Sequence, residues 1–268
     1  MSIKLIAIDM DGTLLRSDKT ISEESKRAIT AAKESGVKVV ITTGRPLKAT
    51  ELFLEECQLQ DPGDYSITFN GGLIQKNDTG EVLSAASLSS KDVNDIYRLL
   101  NELDLPMSAV GNNAIFETSH VEGKPSFYRE IQPLLEVKEG ISVEDIPEVT
   151  KIVTARTAEE IDSKMPLISE SYYDRFTIVK SRPVLLEFMP KGVHKANGLK
   201  FLAEELNIKP EDMMAIGDME NDYSMIDYVG LGVAMGNGDE RIKDIAQYVT
   251  KSNDEHGVAY AIEKFVLN

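Results

Sequence analysis

Leu5-Ile6-Ala7-Ile8 is an apolar run that delivers two carboxylates, Asp9 and Asp11, onto a turn at Gly12. An apolar run bounded by glycine predicts a fully buried strand, here residues 3–8. Residues 22–35 follow as a helix, with Ser22 suited to the N-cap, Glu23 and Glu24 to the positive end, and Gly36 to the exit. Residues 37–42 read as a second buried strand and residues 65–69 as a third. Such alternation predicts a parallel sheet with right-handed crossovers. The pattern returns late in the chain. Leu199, Leu202, Ala203 and Leu206 line one face of a helix over residues 196–206. Strands are expected at 213–216, ending at Gly217-Asp218, and at 229–235, with a helix over 239–247.

The middle of the chain has another texture. Apolar and polar positions alternate in residues 114–117, 151–155, 176–180 and 184–188, with helical stretches near 90–103 and 158–171 between them. This predicts an inserted α+β domain with a half-exposed antiparallel sheet. Turn residues mark its entry, near Asn77-Asp78-Thr79-Gly80, and its exit, near Pro190-Lys191-Gly192. The expected division is a discontinuous core, residues 1–83 and 189–268, and an inserted domain, residues 84–188.

Composition narrows the function classes. The 268 residues are 42% hydrophobic and 28% charged, as in a soluble globular protein. No apolar run is long enough for a membrane span, and the N-terminal one meets Asp9 too soon for a signal peptide. One cysteine, Cys57, excludes an internal disulfide framework and a cysteine-rich zinc site, and a cytoplasmic location is the default. Cys57 itself falls in a helix-like segment, residues 49–59, as a small packing residue. A net charge of −16 argues against a nucleic-acid partner but not against a small phosphorylated one, whose charge a metal and a few cations can meet locally.

Four elements carry candidate chemistry. Asp9, at a strand end, is placed to attack phosphorus; Asp11, past the bend, to protonate the leaving oxygen and later activate water. Gly12 permits the tight turn, and Thr13 is expected to hydrogen-bond back into it. Thr42-Thr43-Gly44-Arg45 joins a strand to a helix, where a hydroxyl, free backbone N–H groups and a guanidinium make an anion cradle. Which threonine supplies the main hydroxyl is open at this level. Lys195 opens a helix against its dipole and so needs an anionic partner; Lys191 competes for that role. Gly217-Asp218-Met219-Glu220-Asn221-Asp222 clusters the hard oxygen donors that suit Mg²⁺. Collected at one site, this much negative charge predicts a protonated Asp11 when substrate arrives. His120, His194 and His256 are scattered and lack metal-ligand spacing.

These motifs in this order, Asp9-Met10-Asp11-Gly12-Thr13-Leu14, Thr42-Thr43-Gly44-Arg45-Pro46, Lys195 and Gly217-Asp218-x-x-Asn221-Asp222, resemble those of the haloacid dehalogenase (HAD) superfamily. The large insertion between the second and third is similar to that of its Cof-type branch, most of all its sugar phosphatases. The resemblance implies a Rossmann-like parallel-sheet core with an inserted α+β cap that closes over the site and sets substrate choice. It implies Asp9 as nucleophile and Mg²⁺ ligand, Asp11 as acid/base with its backbone carbonyl on the metal, and Asp218 as a further ligand supported by Asp222. Thr43, Gly44 and Lys195 would hold phosphate, Asn221 would reach substrate or phosphate, and Arg45 with Asn70-Gly71-Gly72 would line the entrance. Gly72 stands where family members often have alanine.

The function expected is Mg²⁺-dependent hydrolysis of a small phosphorylated metabolite by a cytoplasmic monomer or homodimer, with no nucleic-acid or membrane partner. The alternatives are a phosphotransferase or mutase of the same superfamily, and a phospho-accepting receiver module.

Overall fold

The computed structural model describes residues 2–118 and 124–268; His120 lies outside them. Two compact units result, Met1–Ser84 with His194–Asn268, and Ala85–Val193. In the first, strands β1 (Leu5–Asp9), β2 (Lys38–Thr42), β3 (Tyr65–Thr68), β4 (Leu73–Lys76) and β5 (Val82–Ala85) come from the front of the chain. The second contains β6 (Ser108–Val110), β7 (Ala114–Glu117), β8 (Glu136–Lys138), β9 (Lys151–Ala155), β10 (Phe176–Arg182) and β11 (Leu185–Pro190). The first is completed by β12 (Met213–Gly217), β13 (Leu231–Ala234) and β14 (Tyr248–Val249).

The first unit's sheet has the order β14-β13-β12-β1-β2-β3-β4-β5, parallel from β14 to β3 and then turned back by the antiparallel β3–β4 hairpin. Its parallel part winds outward from β1 in one direction and from β12 in the other, the Rossmann-like arrangement. The order reverses between β1 and β12, and ligands of such sheets bind at the carboxyl ends of the strands at that crevice. All five residues of β1 are buried. Ile6 and Ile8 pack into one hydrophobic cluster, Leu5 and Ala7 into another, as a strand covered on both faces requires. Ser22 caps the helix Glu23–Glu34 by accepting the Ser25 N–H, and Gly36 leaves it at φ +89°.

The second unit's sheet, β10-β11-β9-β6-β7-β8, departs from the half-exposed antiparallel expectation in two ways. The β7–β8 pair is parallel, and β9 is buried along its whole length, on both faces. One face packs Ala109, Ile152 and Phe188 against helix Ser90–Glu102. The other carries Lys151, whose ammonium lies 2.9 Å from Glu187 and 5.8 Å from the Tyr128 ring, all three buried. Burial alone would lower the Lys151 pKa, but Glu187 and Tyr128 outweigh it and the net shift is upward. The continuous helix expected over 158–171 is broken into Ala158–Lys164 and Glu170–Arg175, because Pro166 has no N–H to continue the first. Lys151→Met should cost about 3–5 kcal/mol, since it removes one partner of a buried ion pair, whereas Lys151→Met with Glu187→Leu should cost far less. Denaturant midpoints of the two variants check this.

Candidate active site

The switch point gathers side chains from four separate segments. Asp9 ends β1 and pairs in register with Thr42 of β2; Asp218 follows β12. Carboxylate oxygens of Asp9, Asp218 and Asp222 lie within 4.8 Å of one another, all three residues buried. Lys195, 0% exposed, opens helix Lys195–Glu205 and donates to Asp9, to Asp222 (2.5 Å) and to the Thr42 carbonyl (3.1 Å). This is the anionic partner that its place at a helix N-terminus demands. Lys191 is elsewhere: it donates to the Tyr173 carbonyl of the second unit.

Each acid has a distinct environment. Asp222 uses one oxygen for Lys195 and the other for the N–H groups of Asp218 (2.9 Å) and Met219 (3.1 Å), so it braces the loop. Asp218 accepts from the Thr13 hydroxyl at 2.8 Å. Thr13 bonds back into its own turn through its N–H, which donates to the Met10 carbonyl at 3.4 Å, while its hydroxyl reaches across 205 residues. Gly12, at φ +85°, is needed twice over: any Cβ there would also fall 2.3 Å from Asp218 Oδ2. Asp11 stands slightly apart. Arg45 grips it with two bonds, Nε to Oδ2 at 2.8 Å and Nη2 to Oδ1 at 2.7 Å, while Lys19 lies 3.3 Å from Oδ1. Asp11 is thus ion-paired with Arg45, the guanidinium that the sequence offers to the anion cradle.

The two threonines separate cleanly. The Thr42 hydroxyl is fully buried and donates to Met225 Sδ. Thr43 lies one residue on, its hydroxyl accepting the Arg45 N–H at 3.1 Å. Asn221 donates to Asn70 Oδ1 at 3.1 Å. Two contributors had no local signal: Lys19, and Asn237, which donates to the Gly12 carbonyl at 2.8 Å. Both act on the Asp11–Gly12 turn from outside the motifs.

Burial drives the Asp9 carboxyl up to about 7, with Asp222 adding to the rise and Lys195 opposing it. Burial, then Asp9 and Asp222, push Asp218 up to about 8. Three carboxylates against one ammonium leave a formal charge of −2 in a site of hard oxygen donors. A divalent cation fits that deficit. Asp222 is fully engaged, whereas Asp9 and Asp218 each accept a protein hydrogen bond on one oxygen. A pair of carboxylates suits Mg²⁺, which keeps most of its waters.

A pH dependence follows. Well below pH 3.8 these carboxyls hold their protons in folded and unfolded chains alike. Between there and about 8 the unfolded chain releases them first, so the metal-free protein loses stability as pH rises. The melting-temperature gain on adding Mg²⁺ should therefore be larger at pH 8 than at pH 5.5, by about 2–4 °C for each kcal/mol relieved. Thermal melts with EDTA and with Mg²⁺ at both pH values measure it.

Comparison with known proteins agrees with this geometry. Residues 6–262 match the family model of haloacid dehalogenase-like hydrolases. The chain is 39% identical to a Streptococcus pyogenes protein over the full length of both. It is 33% identical to the 5-amino-6-(5-phospho-D-ribitylamino)uracil phosphatase YcsE of Bacillus subtilis, covering 100% of this chain and 97% of that one. Among solved structures, a haloacid dehalogenase-like hydrolase of Bacteroides thetaiotaomicron superposes with a TM-score of 0.86 at 30% identity, over 98% of this chain and 99% of that one. The HAD subclass IIB sugar phosphatase BT4131 superposes with a TM-score of 0.81 at 28% identity, over 98% of each. The chain belongs to the haloacid dehalogenase-like hydrolases, in their Cof-type branch, and is a phosphatase.

Proposed function

We propose that this phosphatase hydrolyses small phosphomonoesters, sugar phosphates foremost, through an aspartyl-phosphate on Asp9. The observation that carries the reading is the clustering of Asp9, Asp218 and Asp222 within 4.8 Å of one another at the switch point of the sheet, with Lys195 paired to Asp9 and Asp222. BT4131 is a sugar phosphatase and YcsE acts on a phosphorylated ribityl compound, which favours a polyol phosphate here as well.

In the first step an Asp9 oxygen attacks phosphorus. The bond from phosphorus to the ester oxygen breaks, and Asp11 gives that oxygen a proton. In the second, Asp11 takes a proton from water, the water oxygen bonds to phosphorus, and the Asp9 carboxylate leaves with orthophosphate released. Lys195 aims Asp9 and balances part of its charge throughout. Thr43 and the Gly44 N–H receive the phosphoryl oxygens, with Asn221 at their side. Asp11 must exchange its guanidinium partner for a proton before it acts as an acid, and an incoming phosphate dianion supplies the charge that draws Arg45 toward it. Held by Asp9, Asp218 and the Asp11 carbonyl, with Asp222 bracing the loop, Mg²⁺ would neutralise charge on the transferring phosphoryl group. Substrate choice is assigned to the second unit as a cap.

Incubation with p-nitrophenyl phosphate and Mg²⁺, with and without added sugars, tests the reading. Many turnovers to orthophosphate support it. Stoichiometric phosphorylation without turnover would make the chain a receiver, and transfer to the sugar a phosphotransferase. A panel of phosphorylated metabolites then ranks substrates.

A further inference from the structure

Phe69, Asn70 and Gly71 have φ values of 51°, 55° and 98° in succession. Asparagine and glycine visit the left-handed region at modest cost, but a buried phenylalanine there is strained. Such a run costs on the order of 1–3 kcal/mol per strained residue and persists only where its surroundings fix it. Its contacts show what fixes it. The Phe69 N–H donates to the Arg45 carbonyl at 3.3 Å and the Asn70 N–H to the Thr43 carbonyl at 2.9 Å, so the turn straddles the Thr43–Arg45 loop. The Asn70 amide, 2% exposed, accepts from Asn221 and packs on Gly44 so closely that a Cβ there would lie 3.1 Å from Asn70 Oδ1. Gly71 presses on the first turn of the Lys195 helix, where a Cβ would sit 2.3 Å from the His194 carbonyl oxygen.

One left-handed turn therefore touches three of the four motifs. Lys195 also joins the three, through the Thr42 carbonyl and Asp222, so the turn adds a second tie among them. We propose that Asn70 is a positioning residue: its amide sets the Thr43–Gly44 cradle against Asn221, and the left-handed backbone it tolerates seats Gly71 under the Lys195 helix. The proposal rests on the assignment of Thr43, Gly44 and Asn221 to phosphate. It adds that their mutual placement depends on a side chain that never meets the reacting atoms.

The test is a double-mutant cycle with Asn70→Gly and Asn221→Ala, read by p-nitrophenyl phosphate turnover, by direct binding of inorganic phosphate in the presence of Mg²⁺, and by thermal melting. Glycine keeps the left-handed backbone and deletes only the amide. Asn70→Gly should melt within a few degrees of wild type, bind phosphate about 10-fold more weakly and lose about 10- to 100-fold in kcat/KM. In the cycle, the double variant should lose little more than the worse single one, because both remove the same contact. Wild-type phosphate affinity and kcat/KM in Asn70→Gly would overturn the proposal, as would additive losses. A large drop in melting temperature would do so too, since the amide would then be a structural tie. If the wild-type protein binds phosphate without turning over ester, the hydrolase reading fails while the phosphate affinities still decide the role of Asn70. If it binds none, both fail.

Discussion

Asp9→Asn is expected to lower p-nitrophenyl phosphate turnover by at least about 10⁴-fold, as loss of a covalent nucleophile does when the rest of a site stays in place. The same variant should be more stable than wild type when metal-free at pH 8. Burial raises the Asp9 carboxyl to about 7, so keeping it ionised at pH 8 weakens the fold, and a neutral amide of the same shape removes that penalty. The amide oxygen can still accept from Lys195. Opposite signs in activity and stability separate this from unfolding. Turnover within a factor of two of wild type would remove Asp9 as the nucleophile. A lower metal-free melting temperature would remove the electrostatic account of the site.

The second large effect is expected at Lys195. Lys195→Met removes the one ammonium held between Asp9 and Asp222 and strands both carboxylates in the interior. Breaking one side of such a buried arrangement costs about 3–5 kcal/mol. At about 2–4 °C per kcal/mol, melting should fall by roughly 6–20 °C at pH 8. Burial by itself would lower the Lys195 pKa, but Asp222 and Asp9 reverse the shift, so the lysine is charged across the working range. The deficit should shrink as pH falls toward 5.5, because protonation neutralises the stranded acids. Turnover should be lost at both pH values, since Asp9 is no longer aimed. Equal melting of variant and wild type at pH 8 would show that Lys195 does not hold the cluster together.

The parts of this site that the sequence makes legible are those with a local cause. An apolar strand ending in Asp9 and Asp11, and another ending at Gly217-Asp218, are readable because burial on both faces leaves a continuous apolar run. What it leaves open depends on partners far along the chain. Nothing near Thr13 indicates that its hydroxyl turns to Asp218, and nothing near Asn237 points to the Gly12 carbonyl. Lys191 and Lys195 flank the same turn, and only the start of the helix decides between them. The short strands β4 and β5 escape because β4 leads directly out of the Phe69–Gly71 turn and β5 is largely exposed. The doubly buried β9 looks half-exposed in the sequence because Lys151 resembles a solvent-facing residue until Glu187 is placed beside it.

The pairing of β1 with β12 also has a consequence for how the molecule is made. Asp9 emerges from the ribosome early, and Thr13 must wait for a partner 205 residues downstream. At about 5–20 residues per second, that delay is roughly 10–40 s. The inserted unit is one unbroken stretch, Ala85–Val193, and can finish folding inside this interval. The nascent polypeptide therefore carries the exposed edge of a central strand until translation is nearly over, and that edge is where chaperone protection matters most for this enzyme.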